Sequence, residues 1–399
     1  MEKVVLAYSG GLDTSVCIHW LRHVKGLTVV TCTADLGQGV DSEALCERAL
    51  KSGAESAFIE DLREPFVKEY IHRAIRANAV YQDGYYLTTA LGRGLISQAL
   101  VRRAREEGAT HVAHGCTGKG NDQVRFEASI AALAPDLTVI APVREWDLTS
   151  REAEIEYLQK NHIPIGVRAD STYSIDLNLW GTSIECGPLE DPWAAPPADA
   201  YITTVDPREA PDEPEELELE FEAGVPVGLH GRRPSPVDLV LEVAQLGAKH
   251  GVGRSDLVED RLVGIKSREI YEAPAAHILI AAHKALEALT LSREVLAFQE
   301  TVSQRYARLI YDGLWFSDLR EVFDAFLAES QKHVTGAVRM QLYKGTATCV
   351  GRQSSKSLYN LSLATYGKGD TFRREAAGGF IHLWSLPLRA QAQRNESRE

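Results

Sequence analysis

The sequence predicts an α/β protein: a doubly wound parallel sheet first, then a second, α+β domain and a C-terminal oligomerisation segment, divided at 1–168, 169–365 and 366–399. Two observations carry the first part. Short branched apolar runs alternate with helical periods as far as residue 160, and glycine-rich polar turns follow two of those runs. The third observation is a change of pattern: beyond the stretch 167–171 the alternation stops and period-2 strands appear.

Val4 to Ala7 is a continuous apolar run, as a strand buried on both faces should be. The helix after it places Cys17, Trp20, Leu21 and Val24 on one face and stops at Gly26. Thr28 to Ala34 is the second strand. Asp41 or Ser42 then caps a helix to Gly53, and Ser56 to Ile59 is the third strand. Helical periods dominate from Arg63 to Gly108, broken at Asn78 to Gly84 and followed by Tyr85 to Arg93, a polar stretch as suited to substrate contact as to helix packing. Thr110 to His114 and Leu137 to Ala141 supply two more strands, with helices at Asp122–Leu133 and Arg151–Lys160, the latter capped by Thr149 or Ser150.

Two turns concentrate the polar chemistry. Tyr8-Ser9-Gly10-Gly11-Leu12-Asp13-Thr14-Ser15 lies between the first strand and its helix. Its glycines let backbone N–H groups approach an anion, and the helix terminus adds partial positive charge, which makes a phosphate cradle. It is neither a Walker loop, which needs a Lys before the Ser/Thr, nor the three-glycine dinucleotide fingerprint. The plain alternative is a tight turn in which Asp13 merely favours the helix dipole. Gly115 to Glu127 is a second polar glycine turn at a strand's carboxyl end. With Asn121 as cap, Arg125 lies one turn on along the same side of its helix, where its fork suits a carboxylate. Two such turns at two strand ends form a ligand crevice.

Composition narrows the function classes. A formal net charge of −13 over 399 residues argues against a general nucleic-acid binder. No apolar run reaches the roughly 18 residues a membrane helix needs, and the chain opens directly on a strand, so a cytoplasmic protein is expected. The six cysteines show no C-x-x-C pairing, which points to small buried hydrophobes rather than zinc ligands.

In the second half Tyr173 to Glu185 alternates polar and apolar residues, and 189–197 and 206–216 are acidic, Pro-rich connections. Leu217 to Val227 is a period-2 strand with a turn at Ala223-Gly224. Ser235-Pro236 opens a helix expected to bury Val237, Val240, Leu241 and Ala244. Leu257 to Gly264 is a strand with an odd polar centre, and Pro274 opens a long helix to Leu289. Residues 291–333 are helical, and 334–350 make a hairpin about Lys344-Gly345 with Met340, Leu342 and Val350 inward. Phe380, Leu383, Trp384 and Leu388 near the end suggest docking on another subunit, or on the chain itself.

The string Ser9-Gly-Gly-Leu-Asp-Thr-Ser15 resembles the pyrophosphate loop of the ATP pyrophosphatases. Together with Gly118-Lys-Gly-Asn-Asp-Gln-Val-Arg-Phe126, Tyr173-Ser-Ile-Asp176, Leu189-Glu-Asp-Pro-Trp193, His250-Gly-Val-Gly-Arg254, Glu259-Asp-Arg261 and Lys266-Ser-Arg268, it makes nearly the whole chain resemble the argininosuccinate synthases. The resemblance implies condensation of citrulline with aspartate, driven by ATP with Mg²⁺ through a citrullyl-adenylate, by a homotetramer. It implies ATP binding by Ala7, Tyr8, Ser9, Gly10, Gly11, Leu12, Asp13, Thr14, Ser15, Ala34 and Gly115. Aspartate falls to Thr117, Asn121 and Asp122, and citrulline to Tyr86, Asn121, Arg125, Ser174, Ser183, Glu259 and Tyr271. Asp13, Asp122 and Arg125 become the candidate catalytic groups; no metal ligands are assigned. One departure stands out: where the family has Gly-Thr-Ser and a Pro after the Arg, this chain has Thr88-Thr89-Ala90 and Gly94, which makes Thr89 the candidate replacement for a serine near citrulline. The alternatives are a tRNA sulfur-transferase, which would want paired cysteines and a basic face, and a non-catalytic nucleotide sensor.

Overall fold

Five strands, β1 (Lys3–Ala7), β2 (Thr28–Asp35), β3 (Ser56–Asp61), β4 (His111–Ala113) and β5 (Thr138–Ile140), form the expected sheet. The computed structural model describes residues 2–39, 41–148, 150–163 and 172–396. Every strand pair is parallel and the order is β3-β2-β1-β4-β5. β1 is central and covered on both faces. Val4 and Leu6 pack with Val16, Ile18 and Leu21, while Val5 packs with Val30, Phe126 and Ile130. The strand order reverses between β1 and β4, so the crevice opens where Ala7 and Ala113 end.

The flanking helices match their periods with one exception. Helix Leu12–His23 buries Cys17, Trp20 and Leu21, but Val24 is its C-cap and lies 60% exposed, because the helix ends before that turn closes over the sheet. Asp41 and Ser150 cap the helices Ser42–Lys51 and Arg151–Lys160, accepting from Ala44 N–H and Ala153 N–H. The boundary expected at 167–171 lies outside the described residues.

Two antiparallel sheets follow. β6 (Ser174–Asn178), β7 (Gly181–Glu185), β10 (Arg254–Asp260) and β11 (Lys266–Glu272) join in the order β10-β11-β7-β6. β8 (Glu215–Glu222), β9 (Val225–Leu229), β12 (Gly336–Tyr343) and β13 (Thr346–Gln353) join as β13-β12-β8-β9. Leu217, Leu219 and Phe221 of β8 are buried with Met340 and Leu342 of β12.

Two expectations fail here. Val350 is exposed, not inward, because the register of β12 against β13 jumps from Arg339–Gly351 to Met340–Cys349, which leaves Val350 as a bulge. The helix Pro236–Lys249 buries Leu239, Val240 and Val243, whereas Val237, Leu241 and Ala244 are only partly covered. Its deepest stripe is turned because it packs against helix Pro274–Thr290, where Gly247 approaches Ile278 and Pro274.

Residues 1–356 form one compact unit and 357–399 another. In the second, helix Arg374–Trp384 exposes Phe380, Ile381, Leu383 and Trp384, with the rings of Phe380 and Trp384 stacked 5.5 Å apart. Among the described residues no helix is long and apolar enough to cross a membrane.

Candidate active site

A cavity of about 750 Å³ opens at the carboxyl end of the parallel sheet and is closed on its far side by β6, β7, β10 and β11. Ala7, Tyr8, Ser9, Asp13 and Thr14 of the first turn line it, as do Ala34 and Gly115. Gly10, Gly11, Leu12 and Ser15 do not; they build the turn. Gly10 sits at φ +77°, and Arg48 Nη1 donates to its carbonyl at 2.8 Å. Ser9 Oγ accepts from Gly11 N–H at 3.3 Å and meets Thr14 Oγ1 at 3.1 Å. Ser15 Oγ donates to Gly11 O at 2.8 Å. Gly11, the N-cap residue, makes no side-chain cap, so the free N–H groups of helix Leu12–His23 face the turn, ready for an anion.

A Cβ at Gly10 would collide with the Leu45 side chain and would also force a non-glycine residue into the left-handed region. Gly10→Ala is therefore expected to cost about 1–3 kcal/mol of local strain. A Tm lowered by a few degrees in thermal unfolding checks this.

The second turn lies directly beside the first. A Cβ at Gly115 would stand 3.0 Å from Thr14 Cγ2. His114 Nδ1 accepts from Cys116 N–H at 3.2 Å and Nε2 faces Glu127 Oε1 at 3.2 Å, which fixes the turn's entry. Thr117, Asn121, Asp122 and Arg125 all line the cavity. Asn121 occupies the N-cap position of helix Asp122–Leu133 without capping it. Its Nδ2 donates to Tyr311 Oη at 2.8 Å and its Oδ1 accepts from Leu262 N–H at 2.9 Å. The amide thus ties the glycine turn to the turn after β10.

Asp122 is the centre of a charge-balanced quartet in which Arg125 is buried and the other three are half-buried. Its Oδ1 accepts from Arg125 Nη1 and its Oδ2 from Arg93 Nε, both at 2.8 Å, and Arg93 also pairs with Asp176. Burial would raise the Asp122 carboxyl, but Arg93 and Arg125 outweigh it and hold it below the usual range; Asp176 is pushed up by burial. Arg125 is 4% exposed, donates through Nε to Tyr311 O at 3.0 Å, and its Nη2 is buried without a partner among the described residues. A buried guanidinium nitrogen without a partner is a donor in want of an acceptor, and a carboxylate suits its fork.

The opposite wall carries Thr89, Ser174, Ser183, Glu259 and Tyr271. Ser183 Oγ lies 2.9 Å from both Thr88 Oγ1 and Thr89 Oγ1, so Thr89 does bring a hydroxyl to this wall. Tyr86 is not part of it. Its hydroxyl meets His277 Nδ1 at 2.8 Å, and its neighbour Tyr85 lines the cavity instead, stacked 4.3 Å from Tyr271. Adjacent residues of an extended segment point opposite ways, and the sequence alone did not say which tyrosine faced in. Glu259 is 1% exposed, bonded to Tyr271 Oη, and pushed up to about 7 by burial and then by Glu269.

The sequence marks Arg93 within a stretch suited to substrate contact and Asp176 and Arg261 within motifs, but assigns no role to these three or to Glu269, and all four are in the cavity wall. Asp176 was legible as the polar alternate of a period-2 segment; the others answer partners distant in sequence. No cluster of three or more His, Cys, Asp or Glu side chains suited to a metal occurs among the described residues.

Residues 3–164 match the arginosuccinate synthase N-terminal HUP domain and residues 173–391 the arginosuccinate synthase C-terminal domain. The chain is 53% identical over 397 residues to an argininosuccinate synthase of Chlorobium phaeobacteroides, covering 100% of this chain and 99% of the relative. It is 54% identical over 394 residues to that of Rubrobacter xylanophilus, covering 99% and 96%.

Proposed function

The chain belongs to the argininosuccinate synthase family and condenses citrulline and aspartate with ATP in arginine biosynthesis, and we propose that it does so through a citrullyl-adenylate formed in the cavity described above. The observation that carries this reading is the placing of three chemistries around one space: an anion-ready helix terminus, a half-buried charge quartet, and a wall pairing hydroxyls with Glu259.

ATP takes the first turn, its triphosphate on the open N–H groups of Leu12, Asp13 and Thr14 and its base toward Ala34. Citrulline lies between Arg125, whose unpartnered Nη2 takes the carboxylate, and Glu259, which takes the ammonium; Thr89, Ser174 and Ser183 offer hydroxyls to the atoms between. The ureido oxygen attacks the α-phosphorus and pyrophosphate leaves. Aspartate, held by Thr117 and the second turn, then attacks the ureido carbon through its amine; AMP leaves and the amine proton goes to solvent. Asp122 orients that amine. Held acidic by two guanidinium groups, it is a weak base, so positioning and charge stabilisation carry the rate. The donor set at the first turn is hard oxygen: Asp13, Ser9 and Thr14 beside the phosphate oxygens. This fits Mg²⁺: Asp13 would hold the ion with the phosphate oxygens, and the ion would supply neutralisation of the charge on the departing pyrophosphate.

The same reading keeps the division 1–168 for ATP, 169–365 for the amino acids and 366–399 for assembly, with the enzyme a cytoplasmic homotetramer. The apolar face of helix Arg374–Trp384 supports the last point. A pyrophosphate-release assay with each substrate omitted in turn tests the function. Release is expected only with citrulline and ATP both present, with multiple turnover requiring aspartate; release with ATP alone would contradict it.

A further inference from the structure

The second carboxylate of the far wall, Glu269, has no role in the reading so far. Tyr271 Oη lies against Glu259 Oε1 and 2.9 Å from Glu269 Oε2. A phenol has one proton to donate, so it can satisfy only one of the two oxygens that face it. The other meets a lone pair. A buried carboxylate, Glu259, and a half-buried one, Glu269, set against one hydroxyl are best stabilised when an extra proton or a cation joins them.

The surroundings do not supply that charge to Glu259. Arg261, in the turn after β10, is committed to Glu269 Oε1 at 2.9 Å, to Glu185 of β7 and to Ser267 Oγ at 2.7 Å, and its Nη1 donates to Lys119 O at 3.2 Å. Glu185 is itself pushed up, by burial and then by Glu269. The remaining titratable groups facing the pair are the Cys186 thiol and the phenols of Tyr81, Tyr85 and Tyr311, and Arg125 acts on the last two. Of the groups named around the pair, Arg261, Glu185, Tyr85 and Arg125 line the cavity.

We propose that Glu269 is the second half of the socket for the citrulline ammonium: Glu259 and Glu269, joined through the single Tyr271 proton, hold an extra proton that the incoming ammonium displaces to solvent. The inference deepens the citrulline site proposed above and rests on it. Glu269 acts as a positioning and specificity residue. It makes the socket favourable for a cation and unfavourable for a substrate lacking one, because an uncharged occupant leaves the proton in place.

The sign follows. The elevated Glu259 must lose its proton to pair with the ammonium, so citrulline affinity is full above about pH 7 and falls as pH drops through that value. Removing the Glu269 charge relieves the repulsion and moves the break to lower pH. The test is titration of citrulline into the full-length enzyme holding a non-hydrolysable ATP analogue, in buffers of differing ionisation enthalpy, with KM profiles from pH 5.5 to 8.5. Wild type should release part of a proton near pH 7, and its citrulline KM should rise about tenfold per pH unit below the break, with the aspartate KM flat. In Glu269→Gln the release near pH 7 should vanish and the break should move acid by about one unit. Tyr271→Phe, which removes the bridge while keeping the ring, should also shift the break. An unchanged break in both variants, or no release in wild type, overturns the proposal. Glu259→Gln separates the two levels: if it leaves citrulline binding intact, the citrulline site itself is wrong; if it abolishes binding while Glu269→Gln does nothing, only the shared proton is wrong.

Discussion

Arg125→Ala is expected to lower kcat/KM for citrulline by roughly 30- to 4,000-fold, because removing one member of a buried, hydrogen-bonded charge pair costs about 2–5 kcal/mol. Arg125 touches both sides of the chemistry. Its Nη1 holds Asp122 at 2.8 Å, and its Nη2 is buried without a partner among the described residues. Truncation strips the citrulline carboxylate of its fork and leaves Asp122 and Asp176 against Arg93 alone, a net negative charge in a half-buried cluster. Arg125→Lys keeps the charge but not the planar fork and should recover only part of the loss. The KM for ATP should hold within about threefold, since Arg125 is not in the first turn. Unchanged citrulline kinetics in a folded Arg125→Ala protein would remove this residue from the site.

Asp122→Asn is expected to be nearly as damaging, but at the other step. The substitution keeps the shape and deletes the charge that balances Arg93 and Arg125 at 2.8 Å each, leaving the quartet with an excess positive charge. Aspartate, whose amine needs an acceptor and whose position needs the second turn intact, should lose roughly 30- to 1,000-fold in kcat/KM. Citrulline-dependent exchange of labelled pyrophosphate into ATP does not involve aspartate and should fall much less. Equal losses in exchange and in overall turnover would show that Asp122 serves the first step, or the fold, rather than the amine.

The parallel sheet and both glycine turns were legible because each is written in consecutive residues. Val4 to Ala7 is apolar on both sides since both sides are covered, and Gly10 stands where φ is +77°. The candidate site was legible wherever a motif names adjacent residues, as at Asp122 and Arg125. It was not legible where function depends on which way a side chain turns: Tyr85 faces the cavity and Tyr86 bonds His277. Nor could local pattern reveal Glu269, which reads as one polar position of a strand until the fold sets it across Tyr271 from Glu259. Val350 failed for a related reason: a bulge changes the inward set, and nothing in the strand's own alternation marks it. Asn121 was found in the right place with a different use, since its amide joins the helix start to Tyr311 and Leu262 instead of capping.

The central claim is that the cavity sets the ureido oxygen of citrulline against the α-phosphate of ATP held on the first turn. The most direct measurement is the fate of ¹⁸O in citrulline labelled at the ureido oxygen. One turnover with unlabelled ATP and aspartate should place the label in AMP, one atom per molecule, with none in pyrophosphate. Label recovered in pyrophosphate or released to water, with AMP unlabelled, would contradict the account.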